Sequence, residues 1–236
     1  MTLQNLIDEA QRIVLFGGAG LSTESGIPDY RSVDGLYHQK FSDPPETILS
    51  HTYFMQKPQE FYAFYKEKMV HWGAKPNPAH LKLAELERAG KSVEIVTQNV
   101  DGLHQAAGSG TVWELHGSIY RNYCMKCHKH YTVESVMASD GVPVCDCGGI
   151  VRPDVVLYEE GLEDRVISGA IHAIETADLL IVAGTSLAVY PAAGLLTYRR
   201  KSTKLALINR EPTAADSDAD LVIHGNVGEV LSEVTV

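Results

Sequence analysis

Cys124 and Cys127 are separated by two residues, Cys145 and Cys147 by one, with 17 residues between the pairs. Two thiolates of a Cys-x2-Cys knuckle reach one ion, and a second pair completes the tetrahedron that structural zinc prefers. With four sulfur ligands the shell is closed, so such an ion activates no water. The second pair is one residue tighter than usual, and the glycines Gly148 and Gly149 that follow can relieve its bend. His128, His130 and Asp146 lie near as substitutes, but four cysteines suffice. A redox pair would leave the other pair unexplained. Just upstream lies His116, in the run Glu114-Leu115-His116-Gly117-Ser118. An imidazole that titrates near neutrality suits removal of a proton from a hydroxyl. A lone histidine is also commonly structural, so the question is what stands near it.

Two other polar stretches follow apolar runs. Ile13–Phe16 leads into Gly17-Gly18-Ala19-Gly20-Leu21-Ser22. A strand, a glycine turn and a helix start put backbone N–H groups where a phosphate can sit. The dinucleotide fingerprint is incomplete: Thr23 occupies its third glycine position, and no acidic strand end follows at the expected distance. This disfavours an ordinary dehydrogenase. The turn continues into Gly26-Ile27-Pro28-Asp29-Tyr30-Arg31, where Arg31 could serve a phosphate and Tyr30 could wall off an aromatic ring. The second stretch, Gln98-Asn99-Val100-Asp101, follows Val93–Thr97. Amides and a carboxylate crowded past a buried strand can read a ligand's amide and hydroxyls, although Asn and Asp also cap helices.

The elements that must position these groups are legible as alternation. Ile13–Phe16, Val93–Thr97, Val112–Leu115, Val155–Tyr158, Leu179–Ala183, Leu205–Ile208 and Leu221–His224 read as buried strands. Helical patterns over Pro78–Ala89, Glu163–Thr176 and Asn226–Glu233 separate several of them. The alternation predicts an α/β fold with a parallel sheet covered on both faces, whose ligands bind at the carboxyl ends of the strands. Two insertions break it: 31–77, aromatic and helical over Pro58–Val70, and 120–150, polar and carrying the cysteines. They predict a smaller helical and zinc-binding domain beside a large domain of 1–30, 78–119 and 151–236. Glu211–Asp220 reads as a surface loop.

The net charge of −10 over 236 residues argues against a general nucleic-acid binder and is compatible with cationic partners such as lysine-rich peptides. No apolar run approaches the roughly 18 residues of a membrane helix. Met1–Gln11 has neither the basic start nor the apolar stretch of a signal peptide. A cytoplasmic protein is expected, in which paired cysteines bind metal rather than each other.

Taken in order, these runs closely resemble the sirtuin (Sir2) family of NAD-dependent protein lysine deacylases, of the bacterial type. The matches are Gly18–Ser22, Gly26–Arg31, Thr97–Asp101, His116-Gly117, the four cysteines, Gly184-Thr185-Ser186-Leu187 and Asn209-Arg210-Glu211. The resemblance implies a Rossmann-like large domain, a small zinc-ribbon and helical domain, and a cleft where NAD meets acetyl-lysine proteins. It implies NAD contacts from Gly18, Ala19, Gly20, Thr23, Asp29, Tyr30 and Arg31. Gln98 would hold ribose, Val100 and Asp101 nicotinamide, and Asn99 the ribose and a nearby water. Gly184, Thr185, Ser186, Asn209, Arg210, Glu211 and Val227 would serve the adenosine half. Val156, Leu157 and Tyr158, with Leu187, Val189 and Tyr190 of the stretch 187–190, resemble the edges between which a peptide adds as a strand. His116 would be general base on the ribose hydroxyls, with Asn99 assisting. The products would be free lysine, nicotinamide and O-acetyl-ADP-ribose.

Two departures stand out. Val156-Leu157-Tyr158-Glu159-Glu160 replaces the family's common Phe-Phe-Gly-Glu. Tyr62 is followed by Tyr65, where family members that prefer succinyl-lysine carry an arginine. The expected activity is therefore deacetylation, or removal of longer apolar acyl groups, rather than desuccinylation. An ADP-ribosyltransferase using the same NAD site, or a non-catalytic NAD-sensing module, are the rival readings.

Overall fold

The computed structural model describes residues 1–30, 35–36 and 41–236. Arg31, expected at a phosphate, lies outside the described residues. The β-branched runs form a six-stranded parallel sheet of β1 (Arg12–Gly17), β2 (Ser92–Thr97), β3 (Thr111–Glu114), β7 (Leu179–Ala183), β8 (Lys204–Asn209) and β9 (Leu221–His224). Their order is β3-β2-β1-β7-β8-β9. Both faces are covered, which is why the central strands read as continuous apolar runs rather than alternating ones. Ile13 and Leu15 join one core with α1 (Leu3–Glu9), α5 (Pro78–Arg88) and α9 (Val227–Ser232). Val14 and Phe16 join the other with α8 (Asp164–Thr176) and the 3-10 segment Ala192–Tyr198. Asn77 starts α5 by accepting from Ala79 N–H at 2.9 Å, ahead of Pro78 at the first helical position. Between β2 and β3 runs the short α6 (Leu103–Ala107).

A second, three-stranded antiparallel sheet consists of β4 (Gly117–Cys124), β5 (His130–Tyr131) and β6 (Val151–Val155), in the order β5-β4-β6. It packs with α2 (Pro45–Ile48), α3 (His51–Gln56), α4 (Pro58–Phe64) and α7 (Val133–Ala138) around an aromatic core of Phe54, Phe61, Tyr62, Phe64 and Tyr65. This sheet reaches beyond 120–150 at both ends, because β4 begins directly after His116.

Four local expectations are corrected. Val155–Tyr158 is not a strand of the parallel sheet: Val155 ends β6, and the next residues have single, scattered partners, Val156 N–H to His116 O and Tyr158 N–H to Leu49 O. The glycine turn enters two 3-10 turns, Ala19–Leu21 and Thr23–Ser25, instead of an α-helix. The stretch Pro58–Val70 is α4 followed by a π turn, Tyr65–Met69. At the sheet edge β3 is half-buried throughout, not fully buried.

Candidate active site

The sheet reverses its winding at β1: β2 lies on one side and β7 on the other, and such a switch point opens a crevice at the strand ends. Gly17 pairs in register with Thr97 and Ala183, so the three chains leave the sheet together. They deliver Gly18–Ser22, Gln98–Asp101 and Gly184–Ser186 to one cavity of about 490 Å³.

The glycines meet a packing demand first. A Cβ on Gly18 would lie 2.7 Å from the Thr185 side chain, and one on Gly20 would lie 2.9 Å from Gly184 Cα. Gly184 has φ +61, and its Cβ would lie 2.2 Å from Leu21 N. The N–H groups of Gly18 and Gly20 donate to Ala183 O and Gly184 O, so neither is available for a phosphate. Ala19, which lines the cavity, keeps an N–H that donates to no atom among the described residues.

His116 follows β3 and precedes β4, and it lines the cavity. Its Nδ1 lies 2.8 Å from Gln98 O. A carbonyl only accepts, so Nδ1 carries the proton and Nε2 is left as the acceptor. Burial, the larger cause, lowers the pKa of His116, against the opposing bond to Gln98. The ring is thus a neutral base. Gly117 permits the sharp exit: its φ is +75, and a Cβ there would lie 2.0 Å from Asp154 O.

A polar chain lines the cavity beside His116. Asn99 Nδ2 donates to Ser22 Oγ at 3.0 Å, and Ser22 Oγ donates to Asp101 Oδ2 at 2.6 Å. Gln98 Nε2 donates to Thr185 Oγ1 at 3.0 Å. The buried Ser22 is a site residue that the sequence reading quoted in its motif but gave no task. Arg210 reaches Asp29 at 2.9 Å, joining the loop after β8 to the loop after β1.

Ser186, Asn209, Glu211 and Val227 line the same cavity, as do Tyr30, Val100, Val156, Leu157, Tyr158 and Val189. Thr23 and Leu187 do not. Thr23 Oγ1 turns back to Gly20 O, and Leu187 packs against the sheet core. Tyr62 and Tyr65 also face away, both buried in the aromatic core. The π turn brings Lys68 and Met69 to the cavity instead, a register that no sequence period announces. Lys68 is held by Glu67 at 2.9 Å, while Met69, Leu49 and Ile119 give apolar wall.

Among the described residues the four cysteine sulfurs lie within 4.8 Å of one another. Cys124 and Cys147 sulfurs are 3.5 Å apart, Cys127 and Cys145 sulfurs 3.6 Å. These separations exclude disulfides and approach the ~3.8 Å edge of a tetrahedral zinc–thiolate site. Gly148 turns with φ +79, and a Cβ on Gly149 would lie 2.6 Å from Cys124 Sγ. The glycines therefore serve both the bend and the approach of sulfur. The four thiolates would hold zinc with no open position, as a brace for the smaller sheet.

Fold and site define a Rossmann-like nucleotide-binding α/β protein with an attached four-cysteine module. The Sir2 family model matches residues 18–191. An NAD-dependent protein deacetylase of Clostridium perfringens is 56% identical over 98% of this chain and 96% of its own length. Its counterpart in Clostridium acetobutylicum is 58% identical over 98% and 96%. A solved Sir2 variant with a deacetylated p53 peptide and 3′-O-acetyl ADP ribose superposes with a TM-score of 0.89 at 40% identity, over 98% of this chain and 96% of that one. A Sir2–p53 peptide–NAD+ structure superposes at 0.85 with 41% identity, over 96% of this chain and 93% of that one. The chain belongs to the Sir2 family.

Proposed function

We propose that this chain is an NAD-dependent protein lysine deacetylase. The observation that carries the reading is a neutral, half-buried His116, fixed through Nδ1 by Gln98 O, in the cavity that also holds the Asn99–Ser22–Asp101 chain. Two deacetylase relatives above 50% identity over nearly the whole chain support it.

NAD supplies the electrophilic ribose carbon, from which nicotinamide leaves as the acetyl oxygen attacks. In this reading His116 Nε2 would take the proton of a ribose hydroxyl as that oxygen attacks the acetyl carbon, and Gln98 O would stabilise the ring as it becomes charged. The carbon–nitrogen bond to lysine would break with uptake of one water and return of a proton to the lysine nitrogen. Asn99 and Asp101, tied through Ser22, orient the ribose and nicotinamide. The glycine turn with Ala19 and the Gly184–Ser186 turn hold the phosphates and adenosine half. Val156–Tyr158 and the 187–189 segment form edges for the acyl-peptide. The apolar wall of Met69, Leu49 and Ile119, with Lys68 already paired to Glu67, favours acetyl or longer apolar acyl groups over succinyl. This reading divides the chain into an NAD-binding domain of 1–30, 78–119 and 151–236, and a small domain of 31–77 and 120–150 whose sheet runs on into 117–119 and 151–155. No helix among the described residues is long and apolar enough to cross a membrane. We place the protein in the cytoplasm, where a four-thiol metal site persists reduced.

Mass spectrometry of an acetyl-lysine peptide incubated with NAD and the protein tests the assignment. Deacetylated peptide with O-acetyl-ADP-ribose is expected. ADP-ribose attached to protein, without deacetylation, would overturn it.

A further inference from the structure

Glu159 lines the cavity, yet the chemistry proposed above leaves it without a task. It sits where the chain departs from Phe-Phe-Gly-Glu, and its φ is +76. A side chain with a Cβ adopts that region at a cost, and the conformation persists where surrounding contacts enforce it. Here the enforcing contact is visible: Glu159 Oε2 accepts the N–H of Thr52 at 2.9 Å, at the start of α3.

The neighbouring acid is the useful contrast. Glu160 binds Arg152 through both oxygens, at 2.8 and 2.9 Å, and also accepts from Leu157 N–H and meets His51 Nδ1 at 2.8 Å. Its charge is neutralised inside the protein. Glu159 has no Lys or Arg within ion-pair distance among the described residues. Its bonds to Thr52 hold it ionised, so a net negative charge stands exposed on the cavity wall.

The other edge of the cavity contributes an aromatic face. Tyr190 lines the same cavity and is 76% exposed. An open phenol ring attracts cations over its face. A peptide laid as a strand between the two edges sends alternate side chains in opposite directions. A peptide held between the two edges therefore meets an ionised carboxylate at the end of one and an exposed ring at the end of the other.

Resting on the deacetylase reading, we propose that Glu159 is a specificity-determining residue that selects acetyl-lysine flanked by Lys or Arg. Tyr190 supplies the aromatic side of the same subsite. The overall charge of −10 adds attraction for such segments at a distance.

The test uses three acetyl-lysine peptides, identical except for flanking Lys, Ala or Glu, with kcat/KM measured for each. The Lys-flanked peptide should exceed the Glu-flanked one by about fivefold or more, and the ratio should shrink in about 0.5 M salt. Glu159→Gln keeps an oxygen for Thr52 N–H but loses the charge, and should bring the ratio to within about twofold. Tyr190→Ala should reduce the advantage of Lys over Ala. The salt dependence of the wild-type ratio stands independently of whether either variant folds. Equal rates on all three peptides, or an unchanged ratio in Glu159→Gln, would overturn the inference while leaving the deacetylase reading intact. Failure to deacetylate any of the three would overturn the deacetylase reading, and this one with it.

Discussion

His116 Nδ1 sits 2.8 Å from the main-chain oxygen of Gln98, so the residue that opens one polar cluster fixes the tautomer of the base in the other. Burial lowers the pKa of this imidazole, so its basic form is complete at neutral pH and is lost only on acidification below the ordinary 6.5. In a profile of kcat/KM against pH, the acid limb should therefore have its midpoint below 6.5. His116→Ala should lower turnover by roughly 10²–10⁴-fold and retain NAD binding by calorimetry. Near-normal deacetylation by that variant would remove His116 from the chemistry.

Among the described residues Ser22 alone links Asn99 Nδ2 to Asp101 Oδ2. Ser22→Ala leaves an amide donor and a carboxylate oxygen unpaired, at a cost of about 1–3 kcal/mol if water does not replace the hydroxyl. Steady-state kinetics should show kcat/KM reduced roughly 5- to 100-fold, with the unfolding temperature lowered by about 2–10 °C. Activity within about twofold of the wild type would mean that Asn99 and Asp101 are positioned by other contacts.

Gly117→Ala should damage both fold and site. The position has φ +75, and the new Cβ would overlap Asp154 O at 2.0 Å, so β4 or β6 must shift. The adjacent His116 would shift with it. A loss of about 2–4 kcal/mol in stability by urea titration is expected, with activity falling further than the unfolded fraction explains.

Metal removal should act on the smaller sheet and not directly on the chemistry. The four thiolates leave no ligand position for water, so the ion supplies no nucleophile. One zinc per chain is expected by metal analysis. Chelation should disorder the cysteine module, and activity should return when zinc restores near-ultraviolet circular dichroism. Cobalt substitution that changed kcat while leaving stability equal would argue for a metal role in catalysis.

The parallel sheet was legible because β1, β7 and β8 are buried on both faces and carry uninterrupted apolar runs, and β2 breaks its run only at the half-buried Glu94. The strand-end clusters were legible because polar residues follow those runs abruptly. Val155–Tyr158 misled for the same reason: Val155 and Leu157 are buried in the core of the smaller sheet, Val155 as the last residue of β6 and Leu157 beyond it, while the run lines the cavity wall. The cavity contribution of Lys68 and Met69 was not legible, since a π turn shifts register without a change in composition. Tyr65, which stands where the succinyl-preferring relatives carry arginine, is packed among Phe61 and Tyr62 on the same account. Ser22 was overlooked because its task depends on Asn99 and Asp101, 77 and 79 positions away.

His80 and His104 pack with their rings tilted by 58° and centroids 4.7 Å apart, and both are essentially inaccessible to solvent. His80 Nδ1 meets Asn77 Oδ1 at 3.0 Å, while His80 Nε2 and both nitrogens of His104 have no hydrogen-bond partner among the described residues. Burial, the main cause, takes His80 down to about 4, with Asp101 acting in the other direction. Burial and then His80 hold His104 well below its ordinary 6.5. The folded protein therefore binds fewer protons at these sites than the unfolded chain. The stability they confer is full above 6.5 and is lost as pH falls from 6.5 towards 4. Each group can contribute a slope of up to about 1.4 kcal/mol per pH unit in that window. Glu160, lowered to about 2, acts in a separate and more acidic window. Urea midpoints measured between pH 7.5 and 5, spanning roughly the ordinary histidine range, should fall steeply for the wild type. His104→Phe, which removes one titrating ring and keeps its bulk, should flatten the slope by about half. An identical slope in that variant would show that the histidine pair does not govern acid stability.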